Sequence, residues 1–270
     1  LLGVGTGFAS IYFTKMYFAI LSLFKKLKSP KYKLLVGGIA IGIMLYAIPP
    51  LYGEGFGFIN NLLEGDHLKA LGTTPFDAFT DNIWVVIALL FGITIFKAIA
   101  MTTTIGAGGA GGVFIPTMVM GSALGNVVAK VINNLGLGFT VSESNFTLIG
   151  MAGLIAGVIH APLTAIFLIA EITGGYQLFV PLMITAAISY LITKNALDYT
   201  IYTKELAKIG ALLSHNKDQM VLGLMEMDDV IEKNFRPVHP KMSLGEMLHQ
   251  SVSKSKRNLF PVLDDDKKLI

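Results

Sequence analysis

The sequence predicts an all-α polytopic membrane protein with a small water-soluble appendage at its C-terminal end. Three observations predict it. The 270 residues are 53% hydrophobic and only 14% charged, whereas a soluble domain carries about a quarter charged residues. The charge is uneven: residues 1–200 hold 10 Lys/Arg and 8 Asp/Glu, and the last 70 hold 11 and 10. Several stretches with little or no charge approach the ~20 residues that a membrane-crossing helix needs. There are 29 glycines without a period and no cysteine, which excludes collagen-like, disulfide-stapled and disordered classes and any thiolate metal site. A net charge of +3, with no basic stripe interleaved with aromatics, offers nothing to nucleic acid. Leu1 is no initiator and no secretory leader follows it, so a fragment of a longer chain is expected.

The elements follow in order. Leu1–Phe24 is apolar apart from Lys15. Five lysines then fall within Lys25–Lys33, and Leu34–Gly53 carries no charge. A lysine-rich link between apolar stretches is a cytoplasmic loop by the positive-inside bias. Residues 54–81 hold Glu54, Glu64, Asp66, Asp77 and Asp81 against Lys69 alone, and read as a polar connection on the opposite face. Asn82–Ala100 is the next apolar helix, with Lys97 snorkelling to an interface. Ser144–Ala170 is free of Asp, Glu, Lys and Arg, with Pro162 inside it to kink or end the helix. Leu178–Thr193 is the last long apolar span, and the helical signal ends near Leu212. The domains are therefore 1–212, embedded, and 213–270, soluble. In the latter, Asp228–Ile231 opens an amphipathic stretch, and Ser243 with Glu246 forms a capping box. Asn258–Leu263 is a strand candidate ending in an Asp264–Asp266 turn.

The most informative feature is Gly106-Ala107-Gly108-Gly109-Ala110-Gly111-Gly112, inside a charge-free run from Ala98 to Ala129. Five glycines in seven residues will not sustain a helix. The run matches G-x-G-x-x-G, but a dinucleotide site needs a preceding strand and an acidic residue about 20 positions on. Here a membrane-length segment precedes it and the next acid is Glu143. Non-helical backbone at membrane depth must be buried in protein or line a water-filled cavity. Val113-Phe114-Ile115-Pro116 and the apolar Thr117–Val128 follow, and proline suits a helix's first turn. A helix starting here aims unpaired N–H groups and its positive dipole end into the membrane, an anion site without a cationic side chain. The same glycines equally fit a flexible hinge or close helix packing.

Gly112-Val113-Phe114-Ile115-Pro116 resembles the G-x-F-x-P motif of the CLC family of chloride channels and chloride/proton antiporters. The flanking Thr103–Gly125 is similar to the same family. So are Gly150–Gly153 through Ala161–Ala165 with Glu171-Ile172-Thr173, and so is Tyr176–Ile184. Asp198–Thr203 resembles its last membrane helix, and residues 201–270 the exit from that helix and the opening of a CBS domain. The resemblance implies a CLC-type fold of broken and tilted helices followed by a truncated α/β CBS module. It implies chloride as transported ligand, without a cofactor or an enzymatic activity. Gly112, Val113, Phe114, Ile115 and Pro116 would form the anion-binding segment, with the Val113 and Phe114 amides aimed at chloride. Tyr202 would offer its hydroxyl. From the residues alone Tyr202 reads rather as an interfacial tyrosine, since such tyrosines are common, and Tyr199 is the neighbouring candidate.

The family further implies a homodimer in the lipid bilayer, an inner- or plasma-membrane location and a cytoplasmic C-terminal module. A complete CBS pair would take a nucleotide. The family's G-S-G-x-P and G-x-E-G-P segments are not in this sequence, so the residues separating channel from antiporter are not either, and the 270 residues alone are expected not to conduct. The competing readings are a cation-coupled transporter with a broken helix, or a non-transporting membrane anchor for a regulatory module. Glu171 reads as a helix-end residue, and His160 as a hydrogen-bonded structural histidine.

Overall fold

The computed structural model describes residues 1–270 except 73, 77–79, 137, 209–224, 226–227, 229–230, 232–234 and 257. The predicted boundary at 212/213 and part of the amphipathic stretch at 228–231 lie outside the described residues. Chain contacts divide the molecule into units Leu1–Gly210 and Ala211–Ile270.

The first unit is all-helical. Helix α1 (Leu2–Lys26) ends in the lysine-rich link. Helix α2 (Pro30–Ala47) starts on a proline and stops before Pro49-Pro50, which form a 3-10 turn, Pro49–Leu51. The apolar stretch 34–53 is thus not one span, because two prolines supply no N–H to continue it. Short helices α3 (Phe56–Leu63) and α4 (His67–Leu71) fill the acidic connection. Helix α5 (Ile83–Gly106) runs six residues beyond the expected Ala100. Then come α6 (Phe114–Asn134), α7 (Glu143–Ile159), α8 (Pro162–Ile172), α9 (Phe179–Ala196) and α10 (Ile201–Lys208). Pro162 ends rather than kinks its helix. Among the described residues, four segments are long and apolar enough to cross a membrane: α1, α5, α6 and Phe179–Ala207, the last counted through the break at 197–200.

Helix α7 is the centre of the unit. Every residue from Thr147 to Val158 is buried, and the helix packs on α6, α9, α1 and α8. Its pairing with α6 is the most extensive in the molecule. Glycines make it so close: a Cβ on Gly121 would lie 2.5 Å from the Gly150 carbonyl oxygen, and one on Gly125 would run into the Phe146 carbonyl. With no hydrophobic drive between helices in lipid, such backbone approach is the main source of cohesion. Buried hydroxyls at the α1–α7–α9 contact bond to backbone carbonyls, Ser10 Oγ to Thr6 O at 2.7 Å and Thr193 Oγ1 to Ser189 O at 2.9 Å.

In the second unit, α11 (Leu244–Met247) opens with the expected capping box, the Ser243 N–H donating to Glu246 Oε2 at 2.9 Å. The strand candidate appears as two isolated bridges among the described residues, Val238–Val262 parallel and Leu263–Leu269 antiparallel. Asp264 Oδ1 accepts from the Asp266 and Lys268 amides and fixes the turn.

Candidate functional site

The interruption between α5 and α6 is built from both sides. Helix α5 ends in a Schellman motif: the Gly108 N–H donates to Ile105 O at 3.1 Å and the Gly109 N–H to Thr104 O at 2.9 Å. The motif needs a positive φ, and Gly108 adopts +103°. Gly109–Gly112 then run without regular structure, exposed, until Val113. Val113 is the N-cap of α6, 5% exposed, and provides no side-chain cap. The first helical bond of α6 is Thr117 N–H to Val113 O at 3.2 Å. Among the described residues, no backbone hydrogen bond uses the N–H of Val113, Phe114 or Ile115, and Pro116 has none to give. A helix start buried or half-buried without a cap needs another acceptor. Within the glycine run, close packing accounts for Gly106, where a Cβ would lie 2.7 Å from the Phe24 ring, but not for Gly108 or Gly112, where it would meet open space.

The loop opens onto a cavity of about 550 Å³. Gly111, Gly112, Ile115 and Pro116 line one side, and α2, α5 and the 51–54 segment line the rest, with the exposed Glu54 among them. Lys97 is the cation in its wall. The expectation that Lys97 snorkels is not met: the residue is 3% exposed, and its ammonium donates to Leu51 O and Gly53 O, both at 3.0 Å. The cause is the fold of the preceding connection. The 3-10 turn and Gly53 (φ +64°) bring two carbonyls back over α5, and these compensate a charge that would otherwise seek water.

Gly112–Pro116 are thus assembled at one helix start. Tyr202 is placed less directly. Its neighbour Ile201 is buried in the same apolar cluster as Val113, Met120, Leu154 and Phe13, and α10 packs on α7. The Tyr202 residue itself is 54% exposed, and among the described residues its hydroxyl has no hydrogen-bond partner. Tyr199 lies before α10 and is also exposed. Glu171 is exposed at the end of α8, as expected of a helix-end residue. His160 caps α7 in the left-handed region, with φ 60° and ψ 35°, and its ring meets Tyr190 edge-on at 5.7 Å. That packing, rather than the expected hydrogen bond, is its role among the described residues.

Sequence reasoning missed a second polar cluster. Lys130, on the last turns of α6, has a side chain 2% exposed. It pairs with Glu143 Oε2 at 2.6 Å and faces His67 Nδ1 at 3.4 Å. Three elements supply these groups, with Glu143 and His67 lying 13 and 63 positions from Lys130, and no local period announces them.

Broken helices, an uncapped helix start inside an apolar body and a cavity beside it define a polytopic integral membrane protein of the discontinuous-helix class. The chain belongs to the voltage-gated chloride channel family, whose model, described as "Voltage gated chloride channel", matches residues 1–194. A voltage-gated ClC-type chloride channel, ClcB, of Escherichia coli is 30% identical over 183 residues, covering 67% of this chain and 39% of that protein. The fold is similar to a slow cyanobacterial Cl⁻/H⁺ antiporter, with TM-score 0.59 and 24% identity over 80% of this chain and 46% of the other. It is also similar to a eukaryotic CLC transporter, with TM-score 0.56 and 18% identity over 100% and 46%. The chain therefore spans less than half the length of each of these proteins.

Proposed function

We propose that this chain supplies part of a chloride transport path, as a portion of a channel or chloride/proton antiporter subunit, and that α6 holds the anion at its start. The observation that carries the reading is the uncapped turn at Val113, Phe114 and Ile115, whose N–H groups have no backbone acceptor among the described residues. Gly112 lets the chain pass close to the ion without a side chain in the way, and Pro116 fixes the turn without adding a donor. Amides and the dipole end hold an anion without a permanent ion pair. That suits transport, which needs an ion bound firmly enough to enter and loosely enough to leave. Lys97, in the wall of the adjoining cavity, adds a positive field that concentrates anions there. Tyr202 donates one hydroxyl to the same ion. The assembled protein is a homodimer in an inner or plasma membrane, its C-terminal module is cytoplasmic and of CBS type, and a nucleotide binds only where a CBS pair is complete.

The test is chloride titration calorimetry on the intact protein. Phe114→Pro removes one backbone donor and should cost about 1.5–3 kcal/mol, the worth of a hydrogen bond to a charged group, or roughly 10- to 150-fold in affinity. Proline there also strains Val113, which is helical (φ −85°, ψ −28°), so an amide-to-ester replacement at Phe114 serves as the unstrained form. Tyr202→Ala should weaken chloride less. Unchanged affinity in all three contradicts the proposal.

A further inference from the structure

We infer that the lysine-rich link between α1 and α2, with the exposed face of α2 that follows it, is a binding site for an anionic phospholipid. Lys25 and Lys26 close α1, Lys28 lies in the link, and Lys31 and Lys33 sit in the first turn of α2. Four of the five are exposed and Lys33 is half-buried. Among the described residues, the one ion pair they make is Lys25 to Glu205 at 3.5 Å, and both partners are mostly exposed.

The two lysines on α1 stand at a helix C-terminus, where cations are favoured; those on α2 stand at the opposite, positive end. There is no acidic residue in the first turn of α2, and Ser29 makes no side-chain cap. A positive cluster placed against a positive helix end, without a carboxylate to relieve it, breaks a local rule. Such breaks mark function.

A second, independent feature says what kind of anion fits. Directly after the lysines, α2 exposes Leu34, Leu35, Ile39 and Ile43. Gly38 and Gly42, one turn apart, have open space where a side chain would stand. The result is an exposed apolar face running along the helix from the cationic cluster, with Tyr32, 65% exposed, at the junction. Aromatic side chains of this kind sit at headgroup level. An ion alone would use the charges and leave the apolar face; an anionic lipid uses both, headgroup on the lysines and acyl chain along the face. Each lysine near an anionic membrane surface contributes about 1 kcal/mol, roughly fivefold in affinity.

The test is native mass spectrometry of the intact, delipidated protein in detergent, offered phosphatidylglycerol or phosphatidylcholine with identical acyl chains. The expected result is preferential retention of phosphatidylglycerol. The preference should fall by about fivefold per lysine removed, and be nearly abolished in Lys28→Gln/Lys31→Gln/Lys33→Gln. The corresponding triple arginine variant and Lys267→Gln/Lys268→Gln should both retain it, with far-UV circular dichroism confirming equal helicity throughout. Equal retention of the two lipids overturns the inference, as does a preference that survives the triple glutamine variant at unchanged helicity. Displacement of phosphatidylglycerol by inorganic phosphate at millimolar concentration also overturns it, because it would identify a free-anion site.

Discussion

Lys130 gives up nearly all contact with water to reach Glu143 at 2.6 Å. A buried ammonium is tolerated only when paired, and breaking such a pair by removing one partner costs about 3–5 kcal/mol. Glu143→Gln should therefore lower the thermal unfolding midpoint markedly, by an amount near the lower end of that range since Glu143 is part-exposed. Lys130→Met combined with Glu143→Leu should recover most of the loss, because no charge is left unpaired. His67 adds a pH dependence. Burial first, then the Lys130 ammonium, hold its pKa below the ordinary 6.5, while Glu143 and Asp66 pull the other way. The folded protein then resists a proton that the unfolded chain accepts, so stability is full above pH 6.5 and falls as pH drops below it. The unfolding midpoint should be lower at pH 5.5 than at pH 7.5, and His67→Asn should reduce that difference. An unchanged difference in the variant would place the pH dependence elsewhere. None of the three residues is legible as a partner in the sequence, since their meeting depends on how α4, α6 and α7 pack.

At the scale of elements, helix positions are legible because apolar runs and prolines are local signals. The break at Pro162 and the capping box at Ser243 are of this kind. Boundaries are less so. Helix α5 continues through Met101–Ile105, where the Thr102 hydroxyl is satisfied by Ala98 O at 2.7 Å, because no residue able to end it comes before the Schellman turn at Gly108. Which glycines bend the chain and which let helices touch is not written in spacing alone. The run at 106–112 ends one helix and leads into another, whereas Gly121, Gly125 and Gly150 carry the α6–α7 contact. Gly125→Ala must push against the Phe146 carbonyl, backbone that cannot swing aside, and should destabilise by about 1–3 kcal/mol as other overpacked sites do. Gly57→Ala, in α3 with open space around the new methyl, should be neutral or stabilising by up to about 1 kcal/mol. Chemical or thermal unfolding of the two variants compares them directly, and equal effects would contradict the close-packing account of α6 and α7.

At the scale of the whole molecule, membrane residence was legible from charge alone, since 18 charged residues in the first 200 cannot clothe a soluble surface. A helix start near Val113 and Phe114 was legible as well, because a glycine run followed by Pro116 describes a break and then a first turn, although only the resemblance favoured its use as an anion site. The cavity beside it was not. Its walls join positions 41 to 116, and its cation, Lys97, is held by carbonyls 44 and 46 residues upstream. The chain covers 39% of the Escherichia coli relative, and the anion path is proposed to need groups outside the stretch 1–270. Liposomes carrying this chain by itself should show no chloride efflux above protein-free vesicles, and efflux from them would show that the α6 site suffices for transport. The central claim concerns where the ion sits, and anomalous diffraction from crystals soaked in bromide locates it most directly. The account predicts a bromide peak within hydrogen-bonding reach of the Val113 and Phe114 amide nitrogens, and a saturating soak that leaves that position without a peak would contradict it.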